Sequence, residues 1–510
     1  MTGAGGERKL AWYCALLVAG FALFRLVMMG LTGLGDSESY YWAWAHHPAL
    51  SYYDHPPMVA WLIHLSTSIG GDSVFFTRLP SVFLFIFIGW VFYRLSMRLF
   101  NDGRVAFISI LTFNLIPMFG IGALQMVPDI PSAACYLLFI LIIHDLLAKN
   151  GPGWMWLALG VVMGVGLLGK YFAILLLPSA MLLVAMVPGY RHWYKRPEPY
   201  LMGVVALLVF SPVIIWNYTN EWPSFKFHLV ERHHGPSFSW DNVGRLIGGQ
   251  MLYVTPLYLI ALLWSAYAGF KKALAGDNRY ALLSAFSVPT LVFFYVVTAW
   301  TNEAEPHWPA FGYLPAAIMM ASLGVEAWDR RDGKTGKRLA AYFGVATAMA
   351  GMVFALFYIH VFHPILPIKP KYDIVNELIG WDKAGPEIEK AFEKLSVGGQ
   401  KPFALAHHWV LCSQLMFATH DKIPVACINE KTDQFDFWDR ESELRGRPAV
   451  IVTDLRFEET PDKLYLFDSV EKLAEIPVMR GGEETRRFTI WAGKNFKGSS
   501  ASVPPVIKIE

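Results

Sequence analysis

Charge is scarce in this chain. Only 16% of the 510 residues are Asp, Glu, Lys or Arg, against about 25% in ordinary soluble domains. The two signs nearly cancel, leaving a formal net charge of +2. Without a large field of one sign, a general nucleic-acid binder is excluded. Cysteine is scarcer still: four residues are too few for a disulfide-dense scaffold. No repeat of fixed period and no low-complexity tract is found, which removes solenoids and linker-rich architectures. What fills the space is apolar, since hydrophobic residues make up 55% of the chain, with 36 Phe and 19 Trp. That composition argues for a membrane protein.

The charge is unevenly spread. Residues 1–361 hold 41 of the 84 charged side chains although they are most of the chain, so the chain reads as a membrane domain, 1–361, followed by a soluble domain, 362–510. An apolar stretch of about 20 residues crosses a bilayer as a helix, because only a helix or a closed barrel satisfies its backbone polar groups there. By that measure about eleven spans are expected, near 11–31, 80–99, 105–122, 129–148, 154–168, 171–188, 200–216, 248–269, 281–299, 308–325 and 339–360. The first is too long for a signal peptide and lacks a clean small-x-small cleavage site, so it is read as a retained span.

The run from Trp154 to Val187 is either one tilted helix or two short ones broken at Gly169-Lys170. Loop charge decides for the break. With it, and with a cytoplasmic N-terminus, one set of loops carries seventeen Lys and Arg and the opposite set five, the asymmetry expected of cytoplasmic against outer loops. An odd number of spans then delivers the tail to the outer side, the periplasm of a bacterium, with the membrane domain in the inner membrane.

The tail alternates helix and strand, with helical stretches near 373–397 and Trp409–His420. Strands are expected at Phe403–Ala406, Ile423–Ile428, Ala449–Thr453 and Phe488–Ala492, which reads as a small α/β domain. Cys412 and Cys427 are candidates for a disulfide in an oxidising compartment, whereas Cys14 and Cys135 fall in spans as packing residues.

Acids, histidines and aromatics gather in the outer loops. The first, 32–79, carries Asp36, Glu38, Asp54 and His55 among many aromatics, and is expected to lie on the membrane surface as amphipathic helices. A partly desolvated carboxylate there suits proton removal from a hydroxyl; the structural alternative is that Asp36, Glu38 or Asp129 merely caps a helix. Lys170 marks the break in the long apolar run, where a lysine also snorkels to the interface. Further outer segments hold Arg232 and His233, then Glu303, Glu305 and His307. Acids at one end and cations at the other suit cleavage of a sugar–phosphate bond, since positive character builds on the sugar and negative charge on the phosphate. Lys170, Arg232, His55 and His233 are the candidates for holding that phosphate.

In order along the chain come the acidic motif after the first span, Tyr53-Asp54-His55-Pro56-Pro57, Arg78-Leu79-Pro80, Pro128-Asp129-Ile130-Pro131, Gly169-Lys170-Tyr171, Trp216-Asn217 and His307-Trp308-Pro309. This order resembles the bacterial branch of the dolichyl-phosphate-mannose protein mannosyltransferase group, which includes the lipid A aminoarabinose and galacturonic acid transferases. The resemblance implies a polytopic α-helical GT-C fold. It implies an inverting glycosyltransferase that takes a polyprenyl-phosphate sugar from the bilayer and passes the sugar to lipid A, another glycan or a protein. It implies that a first-loop acid is the base, carried here to Asp36 with Glu38 in reserve. Two departures stand out: Ser37 separates acids that are adjacent in relatives, and His55 stands where the aminoarabinose transferases have Lys.

Two other readings compete. His55, His307, Glu303 and Glu305, with Asp54 and Asp129, are chemically suited to a divalent metal, without compact ligand spacing. The spans also fit a lipid flippase or transporter, but such proteins place ionisable groups near the bilayer midplane, where this chain has little beyond Arg25.

Overall fold

The computed structural model describes residues 4–230, 238–301, 305–397, 399–428, 431–438, 441–457 and 459–500. The chain opens with α1 (Ala4–Met29), two short helices, α2 (Asp36–His46) and α3 (Met58–Gly70), and then α4 (Val74–Phe100). Ser73 starts α4 by accepting a hydrogen bond from the Phe76 amide, and Asn101, left-handed at φ 50°, ends it. After α5 (Gly103–Leu115) and α6 (Pro117–Gly120) come α7 (Asp129–Ala148), α8 (Met155–Gly169), α9 (Leu176–Met186) and α10 (Glu198–Thr219). The membrane half closes with α11 (Pro223–Leu229), α12 (Trp240–Val254), α13 (Pro256–Leu274), α14 (Asn278–Trp300), α15 (Ala310–Asp329) and α16 (Lys334–Phe362).

Seven of these helices are long and apolar enough to cross a membrane, and an eighth span forms if α12 and α13, bent by 103° at Pro256, are one broken crossing. The protein is therefore a multi-pass membrane protein. The other three expected spans, near 105–122, 154–168 and 171–188, are short apolar helices, so the count of eleven is not established by helix length. The break at Gly169-Lys170 is present: α8 stops at Gly169 and Lys170 is extended, at φ −154° and ψ 137°. Close packing explains the small residues around it. A Cβ at Gly160 would fall 2.6 Å from the Met202 carbonyl oxygen and one at Gly164 2.8 Å from that of Ala206, so glycine is what lets α8 and α10 approach.

The tail carries α17 (Trp381–Leu395) and α18 (Trp409–Ala418) with strands β1 (Phe403–Ala406), β2 (Val425–Cys427), β3 (Ala449–Asp454), β4 (Tyr465–Leu466), β5 (Ser469–Arg480), β6 (Glu483–Lys494) and β7 (Gly498–Ser499). Five of them form a mixed sheet in the order β2-β1-β3-β6-β5, parallel across β2-β1-β3 and antiparallel thereafter. Cys412 and Cys427 are disulfide-bonded, tying α18 to β2.

Nine residues of α2, Tyr40, Trp42 and Trp44 among them, are buried, because α2 packs with α18 and the tail sheet in one apolar cluster. The seam is also hydrogen-bonded: the Tyr53 amide donates to Gln434 Oε1 at 2.7 Å, and the Gln434 amide to the Tyr40 hydroxyl oxygen at 2.7 Å.

Candidate active site

A cavity of about 910 Å³ lies where the first loop, the helix bundle and the tail meet. Its walls in the bundle are apolar, including Leu207, Phe210, Phe293 and Val297, which suits a lipid chain. Its polar lining comes from Ser37, Asp54 and His55 of the first loop, Asp129 and Lys170 at helix ends, His228, and Glu305 and His307; Trp409 enters from the tail.

The cationic end is built at the helix break. Lys170, 4% exposed, donates from Nζ to Asp129 Oδ1 at 2.7 Å and to His307 Nε2 at 3.2 Å. Asp129 is the first residue of α7, where the helix dipole favours an anion. With one of its three donors on each of these partners, the ammonium has a third for a phosphate oxygen. His55 and His228 stack at 6.2 Å between ring centroids, and His228 Nε2 donates to the Asp54 backbone oxygen at 2.8 Å.

The acidic end has three carboxylates in different surroundings. Asp54 Oδ2 accepts from the Tyr40 hydroxyl at 2.7 Å. Glu38 is fully buried and chelates Arg78: both carboxylate oxygens accept from Nε at 3.0 Å, and Oε2 also from Nη2 at 2.8 Å. It also accepts the Met126 and Gly35 amides at 3.2 and 3.3 Å. Its lone pairs are taken, which corrects the expectation that it stands in reserve as a base: it is the counterion that seats Arg78. Asp36, 6% exposed, sits beside the cavity-lining Ser37. Its Oδ2 is gripped by Arg456 Nη1 at 2.5 Å, while its Oδ1 has only long contacts, to Gln414 Nε2 at 3.3 Å and Arg456 Nη2 at 3.5 Å.

Arg456, Gln414 and Trp409 escaped sequence reasoning because they lie in the tail, far along the chain from the loops they meet. One signal was present: Asp454-x-Arg456 ends a buried strand, β3, and in α/β sheets parallel strand ends collect functional groups. Arg232, His233 and Glu303 lie outside the described residues. Among the described residues no group of three His, Cys, Asp or Glu is placed to share a metal ion.

Glu377, near the same seam, is pushed up to about 7 by burial and by the Asp36 charge, with Arg456 opposing. Below the ordinary value near 4.5 both folded and unfolded states hold the proton; between there and about 7 only the folded state does. Stability is therefore lost as pH rises through that window, and the loss is complete above about 7. Glu377→Gln is expected to remove this slope and to strengthen the loop–tail seam above pH 7 by roughly 1–2 kcal/mol after solvent screening. Hydrogen exchange at 374–378 in parent and variant, at pH 5 and 8, checks it.

A family model described as dolichyl-phosphate-mannose-protein mannosyltransferase matches residues 54–216. The lipid A galacturonosyltransferase RgtD of Rhizobium johnstonii is 23% identical over 325 residues, 62% of this chain and 66% of that protein, so the match spans about two thirds of the relative. The undecaprenyl phosphate-alpha-4-amino-4-deoxy-L-arabinose arabinosyl transferase 1 of Pseudomonas fluorescens is 26% identical over 414 residues, 72% of this chain and 70% of that one. The crystal structure of ArnT from Cupriavidus metallidurans bound to undecaprenyl phosphate superposes with a TM-score of 0.63 at 15% identity, covering 96% of this chain and 98% of that one. Fold and cavity together define the class: the chain has the GT-C fold of the membrane glycosyltransferases it is similar to. Within it, the resemblance carried by the outer-loop motifs, to the bacterial lipid A sugar transferases, is borne out, and sugar transfer is favoured over lipid flipping.

Proposed function

We propose that this protein moves a sugar from an undecaprenyl-phosphate-linked donor to lipid A, at the outer face of the inner membrane. The observation that carries the reading is a cavity joining an apolar wall of helices, the buried Lys170 and Asp54 of the first loop, with Asp36 next in sequence to the lining Ser37. The polyprenyl chain lies along the apolar wall. The phosphate meets Lys170, which Asp129 and His307 hold in place. Asp36 Oδ1 takes the proton of an acceptor hydroxyl as its oxygen attacks the anomeric carbon from the face opposite the phosphate. The bond from that carbon to the phosphate oxygen breaks, and the electron pair leaves with undecaprenyl phosphate, whose charge Lys170 balances. In this reading the N-terminus is cytoplasmic and residues 362–510 form a periplasmic domain, which the loop charge supports.

The test is purified protein in liposomes, given lipid A and radiolabelled undecaprenyl phosphate-α-4-amino-4-deoxy-L-arabinose or its galacturonate counterpart. Label is expected to move to lipid A from one of the two donors. Transfer from neither donor overturns the reading.

A further inference from the structure

Asp36 is not oriented by its own domain. Its main side-chain partner is Arg456, 420 positions later, on the turn that follows β3. We propose that Arg456 is a positioning residue for sugar transfer, gripping Oδ2 of Asp36 so that Oδ1 is presented to the acceptor; the soluble domain thereby completes the catalytic centre. This rests on the reading of Asp36 as the base.

The grip is itself anchored. The Arg456 amide donates to Asp454 Oδ1 at 3.0 Å and its Nε reaches Asp454 Oδ2 at 3.4 Å. Asp454, the buried last residue of β3, accepts from Arg486 Nε at 3.1 Å, with Nη2 in ion-pair contact at 2.9 Å. Arg486 is fixed in turn by donating Nη1 to the Asn376 and Ile379 carbonyl oxygens at 3.1 and 3.3 Å. The result is a row of alternating charge, Asp36, Arg456, Asp454 and Arg486, running from the first loop into the sheet. A turn anchored to the end of the sheet through Asp454 sets the direction of the carboxylate. The other groups facing Asp36 are Gln414 of α18, Glu377 and His408. Glu377 Oε2 accepts the Asp36 amide at 3.5 Å, and its Oε1 lies 3.9 Å from Arg456 Nη1. Burial holds His408 down to about 4, so it brings no competing cation near neutrality. Among the described residues Arg456 is the permanent cation in hydrogen-bond contact with the Asp36 carboxylate, and Arg486 acts on it from farther along the row.

A buttress that merely holds the domains together and one that orients a base predict different kinetics. Arg456→Met is expected to lower kcat about a hundredfold, the cost of a misplaced reacting group, with donor KM within about threefold. Arg456→Lys keeps the charge but not the fork, so kcat falls about tenfold, again with donor KM little changed. On an Asp36→Asn background neither change is expected to slow transfer further, since Arg456 would act only through Asp36. Should Arg456→Met fail to fold, the Arg456→Lys cycle carries the test. Parental kcat in the Arg456 variants, a rise in donor KM that matches the fall in kcat, or full additivity with Asp36→Asn overturns the proposal. Undiminished turnover in Asp36→Asn alone instead overturns the base assignment.

Discussion

Asp36→Asn is expected to lower kcat at least a thousandfold while leaving donor binding intact. A base acting in the transition state contributes about 10²–10⁴ to rate, and the amide keeps the size and an acceptor oxygen for Arg456 while losing the ability to take a proton. The neighbouring acids serve as internal comparisons. Asp54→Asn removes the charge that meets the Tyr40 hydroxyl but keeps an acceptor oxygen and the Asp36 geometry, so a loss of no more than about tenfold is expected. Glu38→Gln leaves Arg78 as a buried cation without its counterion, a cost of about 3–5 kcal/mol, and is expected to show itself first as poor folding. Single-turnover rates with saturating donor, together with thermal unfolding of each variant, separate the three. Equal rates in Asp36→Asn and the parent protein would remove Asp36 from the chemistry.

Lys170→Met is the second large effect. Methionine fills much the same space but carries no charge, so the phosphate loses its permanent cation in a site walled by apolar side chains. Removing a fixed donor that meets developing charge costs about 10²–10³ in rate, and the leaving group is where that charge develops. The single variant also strands the Asp129 carboxylate, which Lys170 holds at 2.7 Å. The double variant Lys170→Met with Asp129→Asn relieves that conflict and is the cleaner probe. It is expected to fold and to bind undecaprenyl phosphate at least tenfold more weakly, with acceptor KM little changed. Titration of undecaprenyl phosphate into the detergent-solubilised proteins measures the first effect, and steady-state kinetics with lipid A the second. Equal weakening toward donor and acceptor would contradict a phosphate role.

Much of this is legible one residue at a time. A lysine beside a glycine in the middle of 34 apolar residues marks a broken helix, because a charge in hydrocarbon has to reach an interface or a partner. Its partners, Asp129 and His307, were both visible as outer-loop outliers, yet nothing in the spacing tied the three together. The tail strands Phe403–Ala406 and Ala449–Asp454 show as short apolar runs. The strand Ser469–Arg480 does not: it is the sheet's edge, half exposed and interrupted by Pro477, and an edge strand carries little periodicity to read.

Sequence alone settled the solvent, since long apolar segments demand a bilayer, and it gathered the candidate groups, since acids, histidines and aromatics crowd one set of loops. Which carboxylate remains available was decided only by folding. Asp36 and Glu38, two positions apart on α2, meet Arg456 and Arg78. One carboxylate keeps an oxygen that is only loosely held, and the other is chelated and capped on both oxygens. The difference comes from which helix turn faces the tail and which faces α4, and a contact between residues hundreds of positions apart leaves no trace in local pattern.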